Sequence, residues 1–368
     1  MRGGVVAVVA VVALLVGAGA GYFIGSSNER TITTLSTVFG GAPIPINSVE
    51  TGNISIGGSP YTYTIAVNPT ASRIYVTSGS NVLTVVDAVT HAVVARVALP
   101  SASSAHNAIA IDYKTGMVFV LFQGGIAEVN DTTNQVVGKM TTDFDLSSIA
   151  IDSYTGTIYG SAGDSIIGIS SQTGKLNANV SIGHGASDVL VNPKLNLIYA
   201  VGCNQQGLAC GSIVSVVNGT SATLMNVTPL DSAYYATATI DETTGFVYVS
   251  GEGQLAALNP SGTVVLETYP GTCGPFIGMA DDPAQNRVIM APQNYDYILV
   301  YDGHGGGLLN MYSLPTSPSS ILSYVAFNTA TNETYVIDSG SLLTFQGVAS
   351  TGNVNATSIG AGQRCLPV

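Results

Sequence analysis

One short phrase returns seven times in this chain: a branched aliphatic pair, an Asp or Asn, a polar turn of three to five residues, then a second apolar stretch that usually holds Tyr or Phe. IAVNPTASRIYVT from Ile65, IAIDYKTGMVFVL from Ile109 and IAIDSYTGTIYGS from Ile149 are the clearest copies, and further ones begin at Val189, Ala238, Gly278 and Val325. Successive starts lie 44, 40, 40, 49, 40 and 47 residues apart, the spacing of propeller blades rather than of helical solenoids. Each copy alternates with period two and is bounded by Gly, Pro, Asn or Thr, so it reads as a two-strand hairpin. The intervening sequence supplies two more strands per unit, as in VLTVVD and AVVARVALP after Ser80. A four-stranded sheet cannot bury both of its faces alone, but seven packed radially can. The expected fold is therefore all-β: a seven-bladed β-propeller of four-stranded antiparallel blades over residues 49–368, with strands a to d running from the centre outward.

The segment from Ser59 to Pro100, containing IAVNPTASRIYVTSGSNVLTVVDAVTHAVVARV, resembles the repeat of the YVTN-type β-propeller proteins, found among archaeal and bacterial surface and secreted proteins. The resemblance extends over residues 51 to 360 and is strongest in the first four repeats. It implies the fold. It supplies no shared catalytic residues, and propellers of similar shape bind quite different ligands.

Two outer strands compete to close the ring. TGNISIG at the N-terminal end and NVNATSIG near Asn355 have the same outer-strand pattern, and either one can complete the seventh blade. The Asp or Asn after each strand a (Asn68, Asp112, Asp152, Asn192, Asp241, Asp282, Asn328) reads as an Asx cap on the a-to-b turn.

Residues 1–25 read as an N-terminal membrane anchor or signal segment. An apolar stretch from Val5 to Ile24 matches a hydrocarbon core of about 30 Å, with Arg2 on its cytoplasmic side. Ala18-Gly19-Ala20 leaves the alternative of signal cleavage and secretion. Residues 26–48 read as a Ser/Thr/Pro-containing stalk. Either reading puts the propeller outside the cytoplasm, at the cell surface with the membrane as one partner. The composition fits an exterior life: charged residues make up 9% of the chain, and ten Lys and Arg stand against 22 Asp and Glu for a net charge of -12. Such acidity without a basic stripe argues against nucleic acid.

Seven Asn-x-Ser/Thr sequons, at Asn53, Asn130, Asn179, Asn218, Asn226, Asn332 and Asn355, fall in outer strands or in the a-to-b and c-to-d turns. None falls in the d-to-a or b-to-c loops that share the opposite face. That face, the top, is the expected interaction surface for an extracellular protein or glycan. Tyr61, Tyr63, Tyr234, Tyr235, Phe276, Tyr295 and Tyr297 form its expected aromatic rim, since Tyr is enriched in interface cores. Four cysteines in an exported chain allow three pairings, of which Cys203 with Cys210 and Cys273 with Cys365 fit the loop positions best. A small disulfide loop of the first kind stabilises by roughly 2 to 3 kcal/mol.

The enzymatic alternative is a channel-centred, lactonase-like hydrolase or lyase. It rests on His106, Asp143, Asp145 and His184, which stand in top loops of blades two to four. No nucleophile elbow, zinc-protease, phosphate-loop or dinucleotide motif is present, and no cofactor is expected. A third reading is a structural component of a surface layer or filament.

Overall fold

In a computed structural model the chain is described over residues 49–346, apart from 58–62, 79, 103–104, 106, 207–208, 234–236, 252–253, 270–275, 293–296, 314–321 and 339, together with two strands nearer the N-terminus, Ala20–Phe23 and Thr34–Thr37. Seven antiparallel sheets follow the seven repeats, and in each the strands lie side by side in the order a-b-c-d. Blade one is Tyr63–Asn68, Arg73–Ser78, Val82–Asp87 and Val93–Ala98; blade four is Gly185–Asn192, Leu197–Gln206, Ala209–Asn218 and Thr223–Ala233. Each strand a meets the next, and Leu322–Asn328 of blade seven meets Tyr63–Asn68 of blade one, so the ring is closed.

Strand d of blade seven comes from the other end of the chain. Val49–Ser55 pairs antiparallel with Ser341–Gln346, from Val49 opposite Gln346 to Ser55 opposite Ser341. The N-terminal TGNISIG is therefore the clasp, and Asn355 with its competing segment lies outside the described residues. Blade five carries two further strands: Thr34–Thr37 runs parallel to its outermost strand, Val264–Tyr269, and pairs on its far side with Ala20–Phe23, which falls at the end of the apolar stretch. No helix among the described residues is long and apolar enough to cross a membrane.

The turns explain why the strands stop where they do. All seven expected Asx caps form: Asp152 Oδ1 accepts from the N–H groups of Tyr154 and Thr155, at 2.8 and 3.2 Å, and Asn68, Asp112, Asn192, Asp241, Asp282 and Asn328 do the equivalent. The residue closing each a-to-b turn is left-handed: Gly116, Gly156 and Gly245 in three blades, Asn196, Asn286 and Asn332 in three more, and Ser72 in blade one. A second set of caps follows strand c, at Asp87, Asn130, Asn218, Asn259 and Asp302. The register shifts once in each c–d ladder, and twice in that of blade four, which gives the outer strands their bend.

The core consists of seven apolar clusters, one between each pair of neighbouring blades. Tyr75, Phe119, Tyr159, Tyr199, Tyr248 and Tyr335 recur at one position of strand b, all buried, each packed toward the next blade. Polar ties repeat at the inner ends of the blades. The residue just before the repeat phrase, Ser148 in blade three or Asp188 in blade four, accepts a hydrogen bond from the first strand of the following blade, at Val189 N (3.0 Å) and Ala238 N (3.1 Å).

Candidate functional site

The top face is dominated by blade four. Its strands b and c are 10 residues long, and its strand d, at 11 residues, runs beside them; strands b and c of the other blades have five or six residues. The ladder runs without interruption from Leu197 opposite Asn218 to Gln206 opposite Ala209, so the b-to-c connection stands above the disc as a hairpin. Cys203 is disulfide-bonded, and Cys210 sits on the facing strand, opposite Gln205. Cys273 and Cys365 lie outside the described residues.

Among the described residues the His/Asp candidates form no cluster. His184 is buried, its Nε2 is 2.7 Å from Ser215 Oγ and its Nδ1 3.0 Å from Gly185 O, so both ring nitrogens are used inside blade four. Burial pushes its pKa down, which keeps it neutral. Asp143 and Asp145 are exposed in the loop before blade three. His106 lies outside the described residues. Among the described residues no three His, Cys, Asp or Glu side chains come together as a metal site.

The expected aromatic rim is corrected at two positions. Phe276 is fully buried in the cluster between blades five and six, because it opens strand a of blade six rather than standing in the preceding loop. Tyr297 starts strand c of the same blade and packs against that cluster, half-buried. Tyr61, Tyr234 and Tyr235, with Tyr295, lie outside the described residues, and Tyr63 opens strand a of blade one.

The sequons follow turn chemistry as much as acceptor chemistry. Asn130 and Asn218 are the c-to-d caps, each accepting from two backbone N–H groups of the following Thr and Ser residues. Asn332 is the left-handed closing residue of its turn, with φ of 57°. Asn226 donates across to Ser261 O of blade five, at 3.0 Å. Asn53 and Asn179 are exposed on outer strands. Asn-x-Thr is thus partly the signature of an Asx turn here.

A void lies along the inner strands of blades two to five. A cavity of about 580 Å³ runs from Asn107 along the inner strands, past Ile109, Ile149 and Val189, and opens among the a-to-b turns at Tyr113, Lys114, Tyr154 and Glu242. Its walls are chiefly aliphatic and its mouth is aromatic and charged. Tyr113 reaches across to donate to Val67 O in blade one at 3.4 Å, and burial among protein atoms, with the Glu242 and Asp281 carboxylates nearby, pushes its hydroxyl up to about 12. Asp281 is pushed up to about 7 by burial, against the opposing hydrogen bond from Thr239 Oγ1 at 3.1 Å. Asp188, on strand a of blade four, is likewise pushed up to about 7, and its carboxylate raises the hydroxyl pKa of Tyr324 in blade seven. These acids were not singled out from sequence. Asp188 replaces the Thr, Ala or Ser found at that position in the first three blades (Thr64, Ala108, Ser148), and a carboxylate at a buried repeat position was the available signal.

No family profile matches the chain, and no curated protein matches it in sequence. Solved structures share its shape. The hydrazine synthase of Kuenenia stuttgartiensis is similar at a TM-score of 0.68 and 14% identity, covering 80% of this chain and 97% of that one. The β-propeller domain of Cps50 (Swd1) from Myceliophteria thermophila is similar at 0.67 and 8% identity, covering 82% of this chain and all of that domain (100%). The chain is thus a seven-bladed propeller protein; at these identities the likeness shows the fold alone.

Proposed function

We propose that the protein is an extracytoplasmic surface recognition module, tethered through its apolar N-terminal segment and the stalk 26–48, whose top face binds an extracellular protein or glycan. The observation that carries this reading is the blade-four hairpin, a braced extension in a ring whose other strands b and c have only five or six residues. Such an extension adds nothing to the inter-blade clusters that hold the ring. Its two long strands add paired backbone and side chains on one side of the disc, which is what a recognition element requires. The clasp strand starts at Val49 at the a-to-b turn end of blade seven, on the face opposite the hairpin. The use of His184 within blade four favours binding over the hydrolase or lyase reading.

The test replaces residues 204–209 by a two-residue Ser-Gly turn in the full chain. Retained β-sheet circular dichroism with at least a tenfold loss of binding to a glycan array, or to the extracellular face of intact cells, is the expected result. Unchanged binding by a folded variant overturns the assignment of this face.

A further inference from the structure

The two faces of the disc differ in a way the recognition reading does not use. The chain has only four lysines. Three of them, Lys114, Lys175 and Lys194, are exposed in turns on the underside of blades two to four. On that same face stand the two most exposed large apolar side chains among the described residues, Tyr154 at 69% and Val89 at 67%, with Tyr113 at 51% and Leu195 at 50%. Every other exposed large apolar residue among those described lies on an outer strand, none in a d-to-a or b-to-c loop. The exposed acids Asp143, Asp145 and Asp164 sit on the opposite, top face. Carboxylates on the underside are mostly turned inward: Asp112, Asp152 and Asp241 are buried caps and Asp131 is half-buried beside Asn68, while Glu242 is exposed at the cavity mouth near Lys194.

We propose that the underside of blades two to four docks on an anionic lipid surface. Lysines would meet phosphate headgroups while Tyr154 and Leu195 sink into the headgroup boundary, the arrangement of aromatic and basic side chains that holds peripheral proteins at an interface. Charge supports this occupant: exposed lysines on a face whose carboxylates are mostly turned inward suit anionic headgroups. The strand Val49–Ser55 starts on the same face, and the chain before it returns to the propeller at the outer edge of blade five. On the tethered reading, which this inference rests on, the propeller is held near the bilayer at high effective concentration, and a contact of only a few weak groups suffices. The consequence is an orientation: the disc lies flat, with the blade-four hairpin outward.

The experiment exploits the absence of tryptophan from the chain. Full-length protein carrying Tyr154→Trp is mixed with vesicles of phosphatidylcholine, or of phosphatidylcholine with phosphatidylglycerol, each containing brominated acyl chains, and flotation and fluorescence quenching are read together. Flotation with both lipids, with quenching at least threefold stronger on the anionic vesicles and abolished by Lys114→Gln, Lys175→Gln and Lys194→Gln together, is the expected result. Flotation with no lipid-dependent quenching overturns the docking and leaves the anchor standing. Flotation with anionic vesicles alone, reversed by salt, overturns the anchor and keeps the docking; absence of flotation with either overturns both.

Discussion

Asp188 shows how one residue of a repeat can be chemically different while doing the same structural task. Ser148, at the same position of blade three, ties blade to blade with a neutral hydroxyl oxygen, whereas Asp188 does so with a carboxyl group buried to 7% exposure. Burial disfavours the charged form, so its pKa rises from the unfolded 3.8 to about 7. The native state therefore holds a proton that the unfolded chain has released, and stability falls as pH rises from about 4 to about 7. Asp188→Asn keeps an acceptor for Ala238 N and removes the titration. We expect the variant to match the wild type near pH 4 and to exceed it by about 1 to 3 kcal/mol at pH 8, in urea titrations at both pH values. A pH profile identical to wild type would show that Asp188 ionises freely in the folded state. Asp281, pushed the same way, leaves a residual slope in the variant.

At the scale of turns and strands, the a-to-b turns obey one rule, with a cap at the start and a left-handed residue at the end, and the c-to-d turns follow it with one exception. Ala222 holds φ of 50° where other blades use His91, Asn134, Gly174, Gly262 or Gly306. A Cβ in that conformation costs roughly 1–2 kcal/mol, and Gly gives back about half of the gain through unfolded-state entropy. Ala222→Gly is thus expected to stabilise by roughly 0.5–1 kcal/mol, seen as a raised urea midpoint at unchanged slope. These turn rules made the inner hairpins and their caps legible from residues alone, because the Asx side chain and the closing residue act within five positions. Longer-range facts were not legible. Both TGNISIG and NVNATSIG satisfy an outer strand, and only the register with Ser341–Gln346 distinguishes them. Phe276 reads as a loop residue because Gly274 and Pro275 precede it, yet the strand begins at once. The sixth repeat departs from the pattern at Gly278 for a spatial reason: a Cβ there would lie 2.6 Å from Val325 N, so the inner strands of blades six and seven approach too closely for the usual Ile or Val.

For the whole molecule, closure is what turns seven marginal sheets into one folding unit. Each apolar cluster needs residues from two blades, so an open ring leaves one cluster half covered. The junction of blades seven and one is the place where that risk lies, and it is held by three kinds of contact. Ile54 and Ile56 from the clasp pack with Ile74, Tyr335 and Leu342; the clasp strand completes the blade-seven ladder; and His91 Nε2 in blade one meets Glu333 in blade seven at 3.2 Å. The first two depend on residues 49–56, so one short N-terminal segment closes the ring. Removing residues 1–56 should leave the outer edge of Ser341–Gln346 unpaired and Ile74 and Leu342 uncovered. The expected outcome is the loss of a single cooperative thermal transition, a lower midpoint and new binding of an apolar dye, with partial recovery when a peptide of residues 49–56 is added in excess. A truncated chain that melts in one transition at the full-length midpoint would mean that another segment closes the ring.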